Sequence, residues 1–383
     1  MSTQQSSIEQ QPAEGAFPTN YTEIIDRING INPLHYAETR NYTNGAVTYL
    51  SPYISRGIVS VKQIREAVLQ KGYKPWQIQK FTQELAWREY FQRVWQHVVE
   101  GIWQDLKQPQ QGVLQHEMPV AVHEACTGIK AIDQAISTLY STGYMHNHLR
   151  MYLASLVCNM AKTYWTQPAR WLYYHLLDGD VASNNCSWQW VAGAFSSKQY
   201  YFNQENVNRF TAGSQRATFL DHSYEHIESM AVPGVLQQTG TPGLHTILPH
   251  TPPPQLDTRK QTLIYNSYNL DVNWRSNEDV NRILLLEPSH FKQYPVSEKV
   301  IQFVIALSRN IPGIAVVTGE IELIVGMYEA SGRSARDCIV SKEHPAFQHY
   351  PGSKDSRHWL YPEVTGYYPS FSAFYKNCEK QKR

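Results

Sequence analysis

The chain has little that would cross-link it or anchor it. Its 383 residues include five cysteines, Cys126, Cys158, Cys186, Cys338 and Cys378, an odd number, far apart and without a CxxC pair. That spacing excludes a disulfide framework and a cysteine-ligated cluster, and it fits a reducing compartment. Charge of one sign is also missing. Lys and Arg number 34 against 33 Asp and Glu, for a formal net charge of +1, so nothing draws the molecule as a whole to nucleic acid or to a membrane, although a local basic face is compatible with this balance. No stretch is long and apolar enough to span a bilayer, and the polar opening MSTQQSSIEQQPAEG has no basic segment leading into an apolar one. The expectation is a soluble, cytoplasmic protein with no membrane or metal partner. Aromatics, by contrast, are plentiful, with 10 Trp and 25 Tyr, which suits stacking on planar ligands and equally suits dense helical packing.

The length allows one large domain or two ordinary ones with a substantial core. Residues 1–19 read as a disordered start, and from 20 to 231 the pattern is helical throughout. Ser51-Pro52 reads as an N-cap followed by Pro at the first helical position. Ser60 with Gln63 reads as a capping box opening VKQIREAVLQ, which stops at Gly72. Helices are predicted over 75–100, 127–140, 143–164 and 168–177, with the turn DGDVASNN before a further one, and no alternating strand pattern interrupts them. Residues 232–256, rich in Pro, Gly and Thr, read as a linker or long irregular loop. Beyond it, in 257–383, RILLLEP, VSEKVIQFVIALSRN and GIAVVTGE read as strand, helix and strand with a parallel pair. No Gly-rich phosphate fingerprint occurs there. The fold class expected is mainly α: an all-helical domain followed by a small α/β unit.

Three stretches combine residues that could carry chemistry. In FTQELAWREYF, Glu84, Trp87 and Arg88 fall at i, i+3 and i+4, which puts a carboxylate, an aromatic plate and a guanidinium on one helical face. Taken alone, a surface ion pair beside a core Trp explains this as well. In TGYMHNHLRMYL, Asn147, Arg150 and Met151 share a face, which could equally be a core Met beside capping groups. In LLDGDVASNNCSWQW, Asp178 and Asp180 flank Gly179, Asn184 and Asn185 follow, and Trp188 and Trp190 sit two apart. Turn formation accounts for DGD, but the whole run is dense in hydrogen-bonding side chains, as a polar heteroaromatic ligand would require.

ELAWREYF, TGYMHNHLRM and LLDGDVASNNCSWQW, in this order and spacing, resemble the FAD-binding helical domain of the DNA photolyase and cryptochrome family over about residues 20–210. The usual family architecture places an α/β antenna domain first, whereas here the helical motifs begin almost at once. The resemblance implies a U-shaped FAD whose diphosphate is held by the segment VTYLSPYI through Thr48, Leu50 and Ser51, with Tyr49 where the family commonly has Arg. Hydroxyls and backbone amides at a helix start also suit a diphosphate on general grounds. It further implies flavin contacts from Arg88 and Asn147, with His148 in place of a frequent Arg. It makes Arg150 and Asp178 a buried ion pair over the ring, Asp180 a hydrogen-bonding partner of the ring, and Asn184 the residue facing flavin N5. Photolyases usually keep Asn at that last position.

Trp188 and Trp165 match the first two members of the tryptophan chain that photoreduces the flavin. The stretch QQGVLQHEMPVAV, where the third is expected, contains no Trp, leaving Trp103, a tyrosine or an incomplete chain. Glu84, Trp87, Met151 and Trp190 match the lining of a cavity for a flipped pyrimidine dimer. The function implied is FAD-dependent, light-driven repair of cyclobutane pyrimidine dimers, by a lyase acting on UV-damaged DNA. The alternative implied is a cryptochrome-like blue-light or redox sensor without repair activity, signalling to a protein partner.

Overall fold

The structure, a computed structural model, describes residues 17–380. The expected disordered start lies outside the described residues up to residue 16. From Phe17 the chain is already packed: the Phe17 ring meets Tyr49, Tyr53 and Tyr144, and the Pro18 carbonyl accepts from the Tyr53 hydroxyl.

Helices follow one another from Tyr21 to Ser229. The longest, Gln79–Val98, buries Thr82, Ala86, Glu89 and Arg93, while Glu84, Trp87, Arg88 and Phe91, again at i, i+3, i+4 and i+7, line a cavity. Two helix starts differ from expectation. Ser51 is the first residue of helix Ser51–Ser55 rather than its cap; Leu50 precedes it and no side chain caps it. Ser60 does accept from the Gln63 amide, but the Gln63 side chain bonds the Tyr21 hydroxyl instead of returning to Ser60. The predicted 143–164 helix is shorter. It runs from Asn147 to Ser155 and passes into a wider π turn, Leu156–Met160.

Residues 232–256 hold a short 3-10 turn, Gly234–Leu236, and little other regular structure. The segment is pinned at intervals. Strand β1 (Met118–Pro119) pairs antiparallel with β2 (Thr239–Gly240), and Thr246 exchanges hydrogen bonds with the Val296 backbone. The C-terminal part is a five-stranded parallel sheet of β3 (Thr262–Tyr265), β4 (Asn281–Leu286), β5 (Ile314–Thr318), β6 (Ile339–Lys342) and β7 (Ser353–Asp355), in the order β5-β4-β3-β6-β7. The chain winds outward from β3 in both directions, as in doubly wound α/β sheets. The parallel pair expected from sequence is β4 and β5, with helix Glu298–Ser308 between them.

One hydrophobic core runs through both regions, joining Tyr53, Phe81 and Trp95 of the helices to Leu263, Leu284, Phe303 and Phe374. A second core, wholly within the helical region and its following loop, contains Trp165, Trp171 and Trp188.

Candidate functional site

Three helix faces close around one cavity of about 640 Å³. Helix Gln79–Val98 contributes Glu84, Trp87 and Arg88, and helix Asn147–Ser155 contributes Asn147, Arg150, Met151 and Ala154. Helix Val181–Ala192 contributes Asn184, Ser187, Trp188 and Val191 from one stripe, with Trp190 at the rim. The segment 47–51 forms the floor at one end, where Thr48, Leu50 and Ser51 all line the space. Every cofactor- and substrate-contact residue expected from sequence therefore reaches a single cavity, although these residues are scattered between 48 and 190. Trp165 does not. It is fully buried behind the wall, in the same core as Trp188.

The DGD turn is tight for a steric reason. A Cβ on Gly179 would stand 3.0 Å from both the Leu176 and Tyr173 carbonyl oxygens, so a larger residue would crowd two backbone groups that must shift to admit it. The turn sets the two carboxylates to different tasks. Asp178, almost wholly buried, takes Arg150 Nη2 on both oxygens, at 3.0 and 2.8 Å, and Arg150 Nε also donates to the Met145 carbonyl. Asp180 caps helix Val181–Ala192 by accepting from the Ser183 amide. It also accepts from Gln92 Nε2, at 2.8 and 2.6 Å, and from Arg88 Nη2 at 3.1 Å. Protein donors thus already engage both Asp180 oxygens, and Arg88 is held by Asp180. Asn184 donates to the Ala169 carbonyl and to Asn185 Oδ1, which fixes the orientation of its amide.

At the other wall Glu84 is not free. Arg40 Nη2 lies 3.0 Å and Lys80 Nζ 3.3 Å from the same carboxylate oxygen. Trp87 stacks on Phe371 of helix Phe371–Lys380, near the end of the chain. Trp190 is 39% exposed at the rim, and Asn147 is exposed. Burial, then neighbouring His148 and Arg150, push His146 down to about 4; burial and Arg40 push His148 down to about 4. The cavity therefore faces a neutral imidazole at 148, packed on Phe210 and bonded to the Tyr152 hydroxyl. Tyr49 adopts a left-handed backbone, φ 52°, and its carbonyl accepts from Arg27.

Several residues that shape the site carry no local sequence signal. Arg40, Gln92, Arg357 and Phe371 act across long separations: Arg357 Nη1 donates to Gln92 Oε1 at 2.6 Å, 265 positions away, and so ties the sheet region to Asp180. Glu89, on the same helix as Glu84, accepts from the Leu360 and Tyr361 amides. Such contacts become visible only once the C-terminal region folds onto the helices. Among the described residues there is no cluster of metal-ligating side chains, and no helix is long and apolar enough to cross a membrane.

The fold encloses a cavity in the helical region lined by both polar and aromatic side chains. Residues 81–230 match the family described as the FAD binding domain of DNA photolyase. The deoxyribodipyrimidine photo-lyase of Synechococcus sp. is 30% identical over 194 residues, covering 48% of this chain and 39% of that protein. The Escherichia coli protein of the same name is 33% identical over 151 residues, covering 38% of this chain and 30% of that one. The Synechocystis sp. cryptochrome structure aligns at 24% identity with a TM-score of 0.45, over 59% of this chain and 50% of that chain. Through residues 81–230 the chain is thus similar to the FAD-binding domain of DNA photolyases. It spans about two fifths of the length of the Synechococcus relative.

Proposed function

We propose that the cavity holds FAD non-covalently and that the protein uses it for light-driven repair of cyclobutane pyrimidine dimers in DNA. The observation that carries this reading is convergence: the residues expected to touch FAD and those expected to touch a lesion line one continuous space. Its volume, about 640 Å³, lies within the span of about 300 to 1,000 Å³ usual for ligand sites.

In this reading Thr48, Leu50 and Ser51 hold the diphosphate, while Arg88, Asn147, Arg150, Asp178 and Asn184 surround the ring. Asp180 positions Arg88 and the start of helix Val181–Ala192, and reaches the ring only by exchanging one of its present donors. The cofactor supplies the one-electron chemistry when bound and excited, as cofactors do in general. The chain orients it, excludes water and places the lesion. Glu84 meets the base edges, Trp87, Met151 and Trp190 pack on the bases, and extrusion costs least at a damaged, poorly stacked pair. Trp188 and Trp165 form the inner part of the route by which the cofactor is recharged.

The test is direct. Purified protein is incubated with FAD, reduced, mixed with a dimer-containing oligonucleotide and illuminated with blue light, and restored thymines are counted. Restoration in light but not in the dark is expected with single- or double-stranded substrate. Two observations favour a second reading, a light or redox sensor without repair: Phe371 covers one face of Trp87, and Arg40 and Lys80 occupy Glu84. No repair by protein that binds and photoreduces FAD would select the sensor.

A further inference from the structure

Trp165 sits at a fork. Its indole N–H donates to Asp105 Oδ1 at 2.7 Å, and two aromatic neighbours lead from it toward the surface. Trp103 lies parallel to it, with centroids 6.3 Å apart and planes 4° apart. Tyr164 stands at 6.1 Å and 51°, and its hydroxyl donates to the same Asp105 oxygen at 3.1 Å. Stacking geometry alone favours Trp103.

Charge favours the other branch. The Arg170 guanidinium lies 3.8 Å from the Trp103 ring centre, an arrangement that attracts a neutral indole and repels an oxidised, positively charged one. Tyr164 meets no such penalty. Its hydroxyl already points at a carboxylate, so the proton can leave with the electron and no positive charge remains on the ring. Asp105 is held for this by the Gln110 amide, which bonds its other oxygen at 2.9 Å. Burial and Asp105 push the Tyr164 phenol up, so it releases its proton only when oxidised. The His116 ring lies 5.2 Å beyond Tyr164.

We propose that Tyr164, with Asp105 as its proton acceptor, is the outer electron donor to Trp165, and that the Trp103 branch is closed by Arg170. One electron passes from Tyr164 to oxidised Trp165, the phenol O–H bond breaks, and the proton moves to Asp105 Oδ1. This leaves a neutral tyrosyl radical and a neutral carboxylic acid. A thiolate from solution then returns one electron to the tyrosyl oxygen, Asp105 returns the proton, and a thiyl radical departs. The proposal rests on the reading above only in naming bound FAD as the group that first oxidises the chain.

Two arms separate the proposal from that reading. In flavin-free protein a flash-generated ruthenium(III) polypyridyl oxidant replaces FAD, the radical is captured with a nitroso spin trap, and the adduct is located by peptide mass spectrometry. An adduct on Tyr164 in the parent and in Trp103→Phe is expected, with at least a tenfold loss in Asp105→Asn, which keeps a hydrogen-bond acceptor but no base. An adduct on Trp103, or one on Tyr164 unaffected by Asp105→Asn, would overturn the proposal. In FAD-loaded protein with a thiol donor, Tyr164→Phe should slow blue-light reduction at least tenfold and Trp103→Phe less than twofold; the reverse order overturns it. Failure to take up FAD at all would sink the proposed function and leave the flavin-free arm to decide this one.

Discussion

The Trp87 indole and the Phe371 ring lie face to face, with 3.8 Å between centroids and 11° between planes. The first belongs to the longest helix of the helical region and the second to a helix near the end of the chain. This contact, with Arg357 on Gln92, packs the C-terminal part against the helix that lines the site. Phe371→Ala should remove an aromatic pair and part of a half-buried side chain, lowering stability by about 2 kcal/mol. It should also uncover one face of Trp87. A lower urea midpoint together with stronger acrylamide quenching of tryptophan fluorescence is the expected pair of results. An unchanged midpoint would mean that the helix carrying Phe371 does not dock as described.

The Arg150 and Asp178 pair gives a second expectation. Asp178 is nearly inaccessible and takes both of its bonds to Arg150 from one guanidinium nitrogen. Asp178→Ala leaves a cation beside the cavity without its counter-charge, a change that costs about 3 kcal/mol when the pair is buried. Denaturant unfolding of the FAD-free protein should register most of this, and FAD retention on gel filtration should fall as well. Asp178→Asn, which keeps one acceptor, should lose less. Equal loss in both variants would show that charge plays no part in the pairing.

Stability should also depend on pH, and the sign follows from the buried imidazoles. Burial holds His146, His148 and His175 down to about 4 and His290 down to about 3. Each therefore lies below its unfolded value of about 6.5, so the fold favours the neutral ring. That contribution is fully present above pH 6.5 and is lost as pH falls from there toward 4. His349, raised by its bond to Glu287, acts in the opposite sense and offsets part of the loss. The urea midpoint should fall steadily as pH drops from about 6.5 to 4. A flat profile across that window would show that these rings titrate freely in the folded protein.

What the sequence makes legible follows physical range. The faces Glu84, Trp87, Arg88 and Asn147, Arg150, Met151 were readable because helical spacing fixes which side chains share a side. The pair β4 and β5 was readable because RILLLEP and GIAVVTGE are short apolar runs with an amphipathic helix between them. Strands β3, β6 and β7 were not. TLIY, IVSK and SKD are only three or four residues long, too short to show a period, and they are strands because neighbouring strands pair with them. The engagement of Asp180 by Gln92, and of Glu84 by Arg40, escaped for the same reason. Each joins residues whose proximity is created by tertiary packing.

The last expectation separates two roles within the proposed repair reaction. Trp190 is the exposed rim aromatic and Glu84 a carboxylate held by two cations. Stacking on an aromatic plate is worth about 1 to 3 kcal/mol per base and acts on the bound ground state. Trp190→Ala should therefore weaken binding of a dimer-containing oligonucleotide by at least fivefold and leave the yield per absorbed photon in the saturated complex nearly unchanged. A carboxylate that bonds the base edges matters most while charge resides on the lesion, so its effect belongs to the reacting state. Glu84→Ala should lower the yield more than it lowers binding. It also frees Arg40 and Lys80, which can then meet DNA phosphates, so affinity should hold or rise. Fluorescence anisotropy for binding and counted thymines per absorbed photon for yield measure the two separately. If Glu84→Ala weakens binding and leaves the yield intact, the carboxylate is only a structural partner of Arg40, and the lesion-contact role assigned to it is wrong.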